Sequence, residues 1–347
     1  MVITYIALLV IILWGIKLRN QDSKREYLSI DQTKAVQGVF VILVVLSHFS
    51  SYIDMGNASV LDLVFVFINN KIGQLMVVMF LFYSGYGIMN KIKINKQEYI
   101  NKFIKNRFLP VYLQFAISIV LFVVMHIALG TLGNYSSYEI VMSFTAWTKI
   151  GNSNWFMFAT FAMYILVFAS FKLFGRKDVR NGLIVFTVST LLYIIVLSLV
   201  ARKGEWWYNT ILCFAAGMWF NMYIDKLEPL IKKHYFMTLI LSALSFAALY
   251  LIQDKIPYSY AYCILSILFS LIVVLLTIKV KIGNPILSFF GRHVFSIYML
   301  QRISYIVLSG LKDNIFLYII SSFAMTIIIA IVFDYCFDAV FKRTKAK

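Results

Sequence analysis

The alternation of positive charge between successive hydrophobic stretches is the feature that most constrains the fold of this chain. Of the 32 Lys and Arg residues, 24 lie in every second gap between these stretches or in the C-terminal tail. Six lie in the other gaps, and two, Arg292 and Arg302, lie inside a stretch. Because Lys and Arg collect in the cytoplasmic loops of membrane proteins, this pattern indicates a polytopic membrane protein.

Eleven hydrophobic stretches approach the roughly 20 residues that a helix needs to cross a bilayer. Every strongly basic gap faces the cytoplasm if the N-terminus is outside and the C-terminus inside, so we predict an all-α transmembrane helical bundle with that orientation. Residues 1–33 would form an N-terminal anchor and a basic cytoplasmic loop, and 34–347 one membrane domain. The apolar segment 60–68 is too short to cross, which favours an interfacial or re-entrant segment. The predicted spans are 2–16, 35–53, 72–90, 108–129, 155–174, 182–200, 207–224, 235–252, 258–278, 286–309 and 315–340.

Composition excludes a soluble protein. Hydrophobic residues make up 61% of the chain and charged residues only 14%, whereas soluble domains are about half apolar and a quarter charged. The net charge of +17 is distributed over short loops and forms no basic face, so we expect contact with anionic lipid headgroups and no nucleic-acid partner. The three cysteines stand at no metal-ligand spacing, and we expect no metal.

Polar side chains within the predicted spans carry the functional signal, because each is costly at membrane depth. His48 lies about 20 Å along its span, in the predicted outer half of the bilayer, and imidazole exchanges protons near neutral pH. Arg302 lies at the same depth beside Gln301, with no acidic residue in the spans at that level. We predict a catalytic or transport site around His48 and Arg302. A purely structural hydrogen bond between helices is the alternative for His48.

Other polar residues in or next to the predicted spans can be explained by structural roles as well as by functional ones. We expect Arg292 to form a buried ion pair with Asp334 or Asp338, which lie four residues apart on one helix face. Asn154 and Trp155 stand at a predicted outer boundary, where amide and indole groups can orient a sugar. An ordinary interfacial aromatic belt explains Trp155 equally well.

Five stretches of the chain, taken in order, resemble the motifs of the membrane-bound acyltransferase 3 family. Together they extend over most of the predicted spans, and the ten-helix core of that family matches ten of them, leaving the first span as an extra N-terminal helix. The stretches are LVVLSHF (Leu43–Phe49), FLFYSGYGI (Phe80–Ile88), KFIKNRFLPVYL (Lys102–Leu113), NSNWFMFA (Asn152–Ala159) and GRHVFSIYMLQR (Gly291–Arg302).

The resemblance implies acyl transfer, often of acetyl from acetyl-CoA, to a hydroxyl of a cell-surface or lipid-linked glycan. His48 would be catalytic, with Arg302 supporting it. The acceptor would contact the residues Gln37, Asn154, Trp155 and Gln301. The phosphates of acyl-CoA would contact the basic residues Lys102, Lys105, Arg107 and Arg292. The basic loop around 91–107 is explained equally well by membrane orientation alone.

The chain departs from the family pattern at two positions. Gln37 stands where the family usually has Arg or Lys, and Pro110 stands where it usually has a second Arg. We expect a multi-pass protein of a bacterial plasma membrane; the sequence leaves its oligomeric state open. A transporter or flippase for a lipid-linked glycan is the alternative function, and a structural protein that does not need His48 is a third.

Overall fold

The computed structural model describes residues 2–19, 25–53, 59–175, 178–256 and 260–345. Within these ranges the chain forms fourteen α-helices and one two-stranded antiparallel sheet, so the predicted all-α class is confirmed. The helices are α1 (Ile3–Leu13), α2 (Ile30–Ser50), α3 (Val60–Ile72), α4 (Leu75–Asn101), α5 (Leu109–Ala128), α6 (Ser137–Ser143), α7 (Trp155–Leu173), α8 (Val179–Ile195), α9 (Leu212–Lys233), α10 (Tyr235–Ile252), α11 (Tyr260–Lys279), α12 (Pro285–Arg292), α13 (Val294–Val307) and α14 (Ile315–Lys345), and the strands are β1 (Lys17–Leu18) and β2 (Val280–Lys281).

Eight helical segments in the described part of the chain are long and apolar enough to cross a membrane. Three predicted spans coincide with other helices. The spans 2–16 and 286–309 contain the shorter apolar helices α1 and α13, and the span 207–224 coincides with α9, which carries several charged residues near its end. The polytopic membrane class therefore stands, while the count of eleven crossings and their orientation remain predictions.

The two ends of the bundle are distinguished by the contacts of α1. Tyr5 donates a hydrogen bond to Asn69 of α3 (2.5 Å), whereas the carbonyl of Trp14 accepts one from Asn284, just before α12 (3.0 Å). Lys17 then pairs with Lys281 in the small sheet. We call the end with Lys17, Lys34 and Lys281 the basic end, and the end with Asn69 and His48 the His48 end.

Helix α2 lies at the centre of the bundle. It is apolar nearly all round and buries most of its length, as expected of a helix with neighbours on several sides. Its start is fixed by Ser29, whose hydroxyl accepts a hydrogen bond from the backbone N–H of Gln32. Gly38 lets the backbone of α12 approach directly, since a Cβ there would lie 2.1 Å from the carbonyl oxygen of Leu287. α2 therefore packs closely against α12 near its start and carries His48 near its other end.

Helix α3 corresponds to the predicted interfacial segment. It lies at the His48 end, begins with a capping box formed by Ser59 and Asp62, and ends at Gly73. Its residues Leu61 and Phe67 are 61% and 60% exposed, so an apolar face is left uncovered by the protein. Its length of 13 residues agrees with a segment that does not cross, although its position in the membrane interface remains a prediction.

Candidate functional site

His48 lies in the last turn of α2, where the helix reaches the His48 end. The imidazole is half-buried, and its Nδ1 atom is inaccessible and has no hydrogen-bond partner among the described residues. The ring centroid lies 6.0 Å from that of Tyr298 on α13. Nδ1 is therefore a buried polar atom without a structural hydrogen bond.

His48 lines a cavity of about 300 Å³, which we call the His48 cavity. Trp155, at the first turn of α7, lines the same cavity, so the structure brings together two residues that the sequence singled out. The remaining wall is built mainly from the corner between α3 and α4 and from Tyr298. This cavity therefore combines an imidazole, an indole and several amide groups.

A second cavity lies on the other side of Tyr298. This middle cavity has a volume of about 360 Å³, and Tyr298 lines both it and the His48 cavity. Gln37 lines it as well, together with Gln114 and Thr160, so its polar groups are uncharged apart from Arg107. Tyr298 thus separates two compartments, and its hydroxyl has no hydrogen-bond partner among the described residues.

A third cavity lies at the basic end, next to the middle cavity. This mouth cavity has a volume of about 760 Å³ and shares the residues Thr33, Tyr83, Ser84 and Arg107 with the middle cavity. Lys91 and Lys102 also line it, although Lys102 is paired with Glu98 at 2.8 Å. Three cavities with shared walls therefore follow one another from the basic end to His48.

Arg107 lies where the mouth and middle cavities meet. Its guanidinium carbon lies 5.2 Å from the ring centroid of Tyr164, and Nη2 donates a long hydrogen bond of 3.5 Å to Ser84. The Nε atom is buried and has no partner, and no ion pair of Arg107 is found among the described residues. An arginine with an uncompensated charge at a constriction is suited to binding an anion.

The neighbouring basic residues are placed differently. Residues 104–108 form a π-helical turn just before α5, in which Arg107 is half-buried and Lys105 is exposed. Neither Lys105 nor Arg292 lines any of the three cavities. Their predicted contacts with acyl-CoA therefore have no support from the cavity geometry.

Gln301 and Arg302 belong to α13 and lie next to His48 of α2. The Arg302 guanidinium donates to the hydroxyl of Ser153 (2.8 Å), and its charge is close enough to act on the His48 imidazole. Gln301 is fully buried; its amide nitrogen donates to the carbonyl of Tyr298 (3.1 Å), and its amide oxygen accepts from Tyr305 (3.3 Å). The structure thus brings His48, Gln301 and Arg302 together.

The loop before α7 places Trp155 at the His48 cavity. His126 contacts the carbonyl of Ile150 (3.2 Å), and the side chain of Asn152 accepts from the Ile150 backbone N–H (2.8 Å). Asn154 donates to two backbone carbonyls of the preceding loop, each at 3.1 Å, and does not line the cavity. In this structure Asn154 braces the loop that carries Trp155.

The predicted buried ion pair of Arg292 with Asp334 or Asp338 is wrong, because Arg292 is exposed. Asp334 contacts the imidazole of His293 (2.5 Å) and accepts a hydrogen bond from Ser296 (2.7 Å), whereas Arg292 is exposed. The predicted span 286–309 breaks at His293, where the backbone leaves helical geometry between α12 and α13. This break changes which side chain faces α14, and His293 takes the position expected for Arg292.

Several of the cavity residues were not predicted from the sequence. Tyr298 was not identified because an aromatic residue in an apolar helix is usually a packing residue. Asn69, Asn70 and Gln74 were not identified because they follow a segment treated only as interfacial. Two sequence signals point to them: Tyr298 lies three residues before Gln301, and three amide residues within six positions are unusual beside a predicted span.

Comparison with known proteins identifies a family. The family profile described as an acyltransferase domain, that of the acyltransferase 3 family, matches residues 29–335 and so includes every residue of the three cavities that is named above. No curated protein and no solved structure gave a match.

Proposed function

The chain belongs to the acyltransferase 3 family and is a membrane acyltransferase, and from this premise we propose that it transfers an acyl group from acyl-CoA to a sugar hydroxyl. Acetyl is the simplest donor group, and a cell-surface or lipid-linked glycan is the proposed acceptor. The single observation that carries the proposal is the series of three cavities that ends at His48. We place the protein in a bacterial plasma membrane with the basic end in the cytoplasm.

The donor would enter through the mouth cavity. Lys91, Lys102 and Arg107 supply positive charge there for the phosphates of CoA. The pantetheine arm carries two amide groups, which can hydrogen-bond with Gln37 and Gln114 in the middle cavity. Gln37 would therefore contact the donor, although the sequence grouped it with acceptor-binding residues. The thioester would then reach Tyr298, at the boundary with the His48 cavity, where the acceptor hydroxyl can approach it.

In the transfer step, His48 would accept the proton of the acceptor hydroxyl as its oxygen attacks the thioester carbonyl. A C–O bond forms, the tetrahedral intermediate collapses with cleavage of the C–S bond, and the CoA sulfur leaves with the proton held by His48. The positive charge of Arg302 would stabilise the oxyanion of the intermediate. An acyl-histidine relay through the same imidazole is the alternative order of steps.

Substitution of His48 tests the proposal directly. The protein in lipid nanodiscs would receive labelled acetyl-CoA with methyl glycosides as acceptors. We expect His48→Ala to reduce the transfer rate by about 10²- to 10⁴-fold, the usual contribution of a general base. His234→Ala is the matched control, since His234 is exposed at the basic end and lines none of the three cavities.

Two outcomes would contradict the proposal. Full activity of His48→Ala would remove the proposed catalytic residue. Movement of a sugar across the membrane in proteoliposomes without loss of the thioester would favour the alternative function, a transporter or flippase for a lipid-linked glycan.

A further inference from the structure

We propose that the corner between α3 and α4 is the acceptor subsite, and that it selects an uncharged sugar ring over an anionic one. The corner is formed by Asn69, Asn70, Gly73 and Gln74. This inference rests on the proposed function, because it assigns the acceptor side of the same site.

The corner is a rigid support. Gly73 joins the two helices with a φ of 50°, a backbone conformation that favours glycine. Asn69 is 2% exposed, and its side chain is fixed at both ends: the nitrogen donates to the carbonyl of Phe65 (3.1 Å), and the oxygen accepts from Tyr5 (2.5 Å). The corner therefore holds Asn70 and Gln74 at the cavity wall without needing a ligand.

Two polar side-chain atoms at this wall have no hydrogen-bond partner among the described residues. The amide oxygen of Gln74 and the Nδ1 atom of His48 are both inaccessible to solvent, and neither has a partner among the described residues. Buried polar atoms in folded proteins are nearly always hydrogen-bonded, so two unpaired polar atoms beside one cavity point to a ligand with hydroxyl groups, which both donate and accept. A sugar supplies several hydroxyl donors on one small ring.

The size and the remaining wall of the cavity agree with one sugar unit. Trp155 contributes an indole to the wall, which offers a flat apolar surface with a single polar edge. A volume of about 300 Å³ is at the lower end of the range for ligand sites, about 300–1,000 Å³. The cavity therefore accommodates a single ring better than an extended chain.

The lining of this cavity carries no compensating charge. Among the described residues that line it there is no Asp, Glu, Lys or Arg. Lys71 of α3 is exposed, with its ammonium 5.6 Å from the ring centroid of Phe67, and Arg302 donates to Ser153. A carboxylate or phosphate at the corner would lose its hydration without contacting a cation, because Arg302 does not line this cavity, and this disfavours anionic acceptors.

The test compares neutral sugars with uronides, in which a carboxylate replaces the C6 hydroxymethyl group. Methyl β-glucoside and methyl β-galactoside would be compared with the corresponding uronides, in transfer assays with labelled acetyl-CoA and in binding assays. Binding would be followed by tryptophan fluorescence, with Trp155→Phe used to isolate the signal of Trp155. We expect the parent protein to prefer the neutral sugars by about tenfold or more.

Substitutions at Gln74 test the residue itself. Gln74→Leu should raise the KM for the neutral sugar about tenfold and leave the KM for acetyl-CoA unchanged. Gln74→Lys should reduce the preference for neutral over anionic sugars. Gln97→Leu is the matched control on α4, because Gln97 is exposed and lines none of the three cavities.

The failure of this inference is distinguishable from that of the proposed function. Transfer that depends on His48 but is unaffected by Gln74→Leu, or that is equal for neutral and anionic sugars, would overturn the subsite alone. Failure of the parent to bind any of the four sugars would also overturn it. Acetyl-CoA turnover that is the same in the parent and in His48→Ala would overturn the proposed function instead.

Discussion

At the scale of single residues, Tyr298 has the most specific position in the site. Its ring lies 6.0 Å from that of His48 on one side and 5.2 Å from that of Phe156 on the other, and it lines both the middle and the His48 cavities. Its hydroxyl has no hydrogen-bond partner among the described residues. Tyr298 therefore lies at the boundary of the two cavities, where the proposed donor and acceptor would meet.

Tyr298 substitutions separate this role from a chemical one. Tyr298→Ala should widen the opening between the two cavities, so that water reaches the thioester and acetyl-CoA hydrolysis without acceptor rises about tenfold relative to transfer. Tyr298→Phe keeps the ring and should hydrolyse acetyl-CoA no faster than the parent. Release of free CoA, measured with a thiol reagent in the absence of acceptor, checks both. A Phe variant that loses transfer as completely as the Ala variant would show that the hydroxyl takes part in the reaction.

The sequence indicated some of these residues by type alone. An imidazole in an apolar span is unusual enough to single out His48, and Trp155 was identified because amides precede it. Asn154 has the same local signal but braces a loop, because its role depends on which carbonyls the fold places beside it. Arg107 and Lys105 are both basic and near in sequence, yet they lie on opposite faces of the helical turn, and only Arg107 lines the cavities.

At the scale of elements, the crossing of α4 and α9 depends on two glycines. A Cβ on Gly85 would lie 2.0 Å from the carbonyl oxygen of Phe214, and a Cβ on Gly217 would lie 2.1 Å from that of Phe82. Small residues allow membrane helices to approach until their backbones touch. The motif Phe80–Ile88 therefore has a packing role that is independent of its resemblance to a family.

Gly85 and Gly87 form a matched pair for testing this crossing. Gly85→Ala should push α9 away and destabilise the protein by about 1–3 kcal/mol, as overpacking does in a close-packed core. Gly87 lies on the same helix, and a Cβ added there would meet nothing within 4 Å, so Gly87→Ala should be neutral or stabilise by about 0.5–1 kcal/mol. Thermal unfolding in one detergent measures both variants. Equal melting temperatures for the two would contradict the proposed packing.

Hydropathy predicted the long helices well because each carries its own apolar run. It did not predict the break between α12 and α13, since residues 286–309 are apolar across the break and contain no proline at it. The break coincides with the pairing of His293 and Asp334, a contact between two segments 41 residues apart. Such a contact cannot be inferred from local composition.

At the scale of the whole molecule, the proposed chemistry requires that the two substrates enter the protein from opposite sides of the membrane. The mouth cavity has to face the compartment that contains acyl-CoA, and the His48 cavity has to face the compartment that contains the acceptor. The charge alternation predicts that the basic end is cytoplasmic, which agrees with this requirement. Orientation and function are therefore linked and can fail together.

Two lysines at opposite ends of the bundle test the orientation. Lys105 and Lys149 are both exposed, the first beside the mouth cavity and the second in the loop before α7. In a Cys336→Ser background, which removes the exposed native thiol, we expect Lys149→Cys in intact cells to react with a membrane-impermeant maleimide. Lys105→Cys should react only after the membrane is permeabilised. The reverse pattern would place the mouth cavity outside the cell, away from acyl-CoA, and the three-cavity route could then no longer serve as the path of the donor.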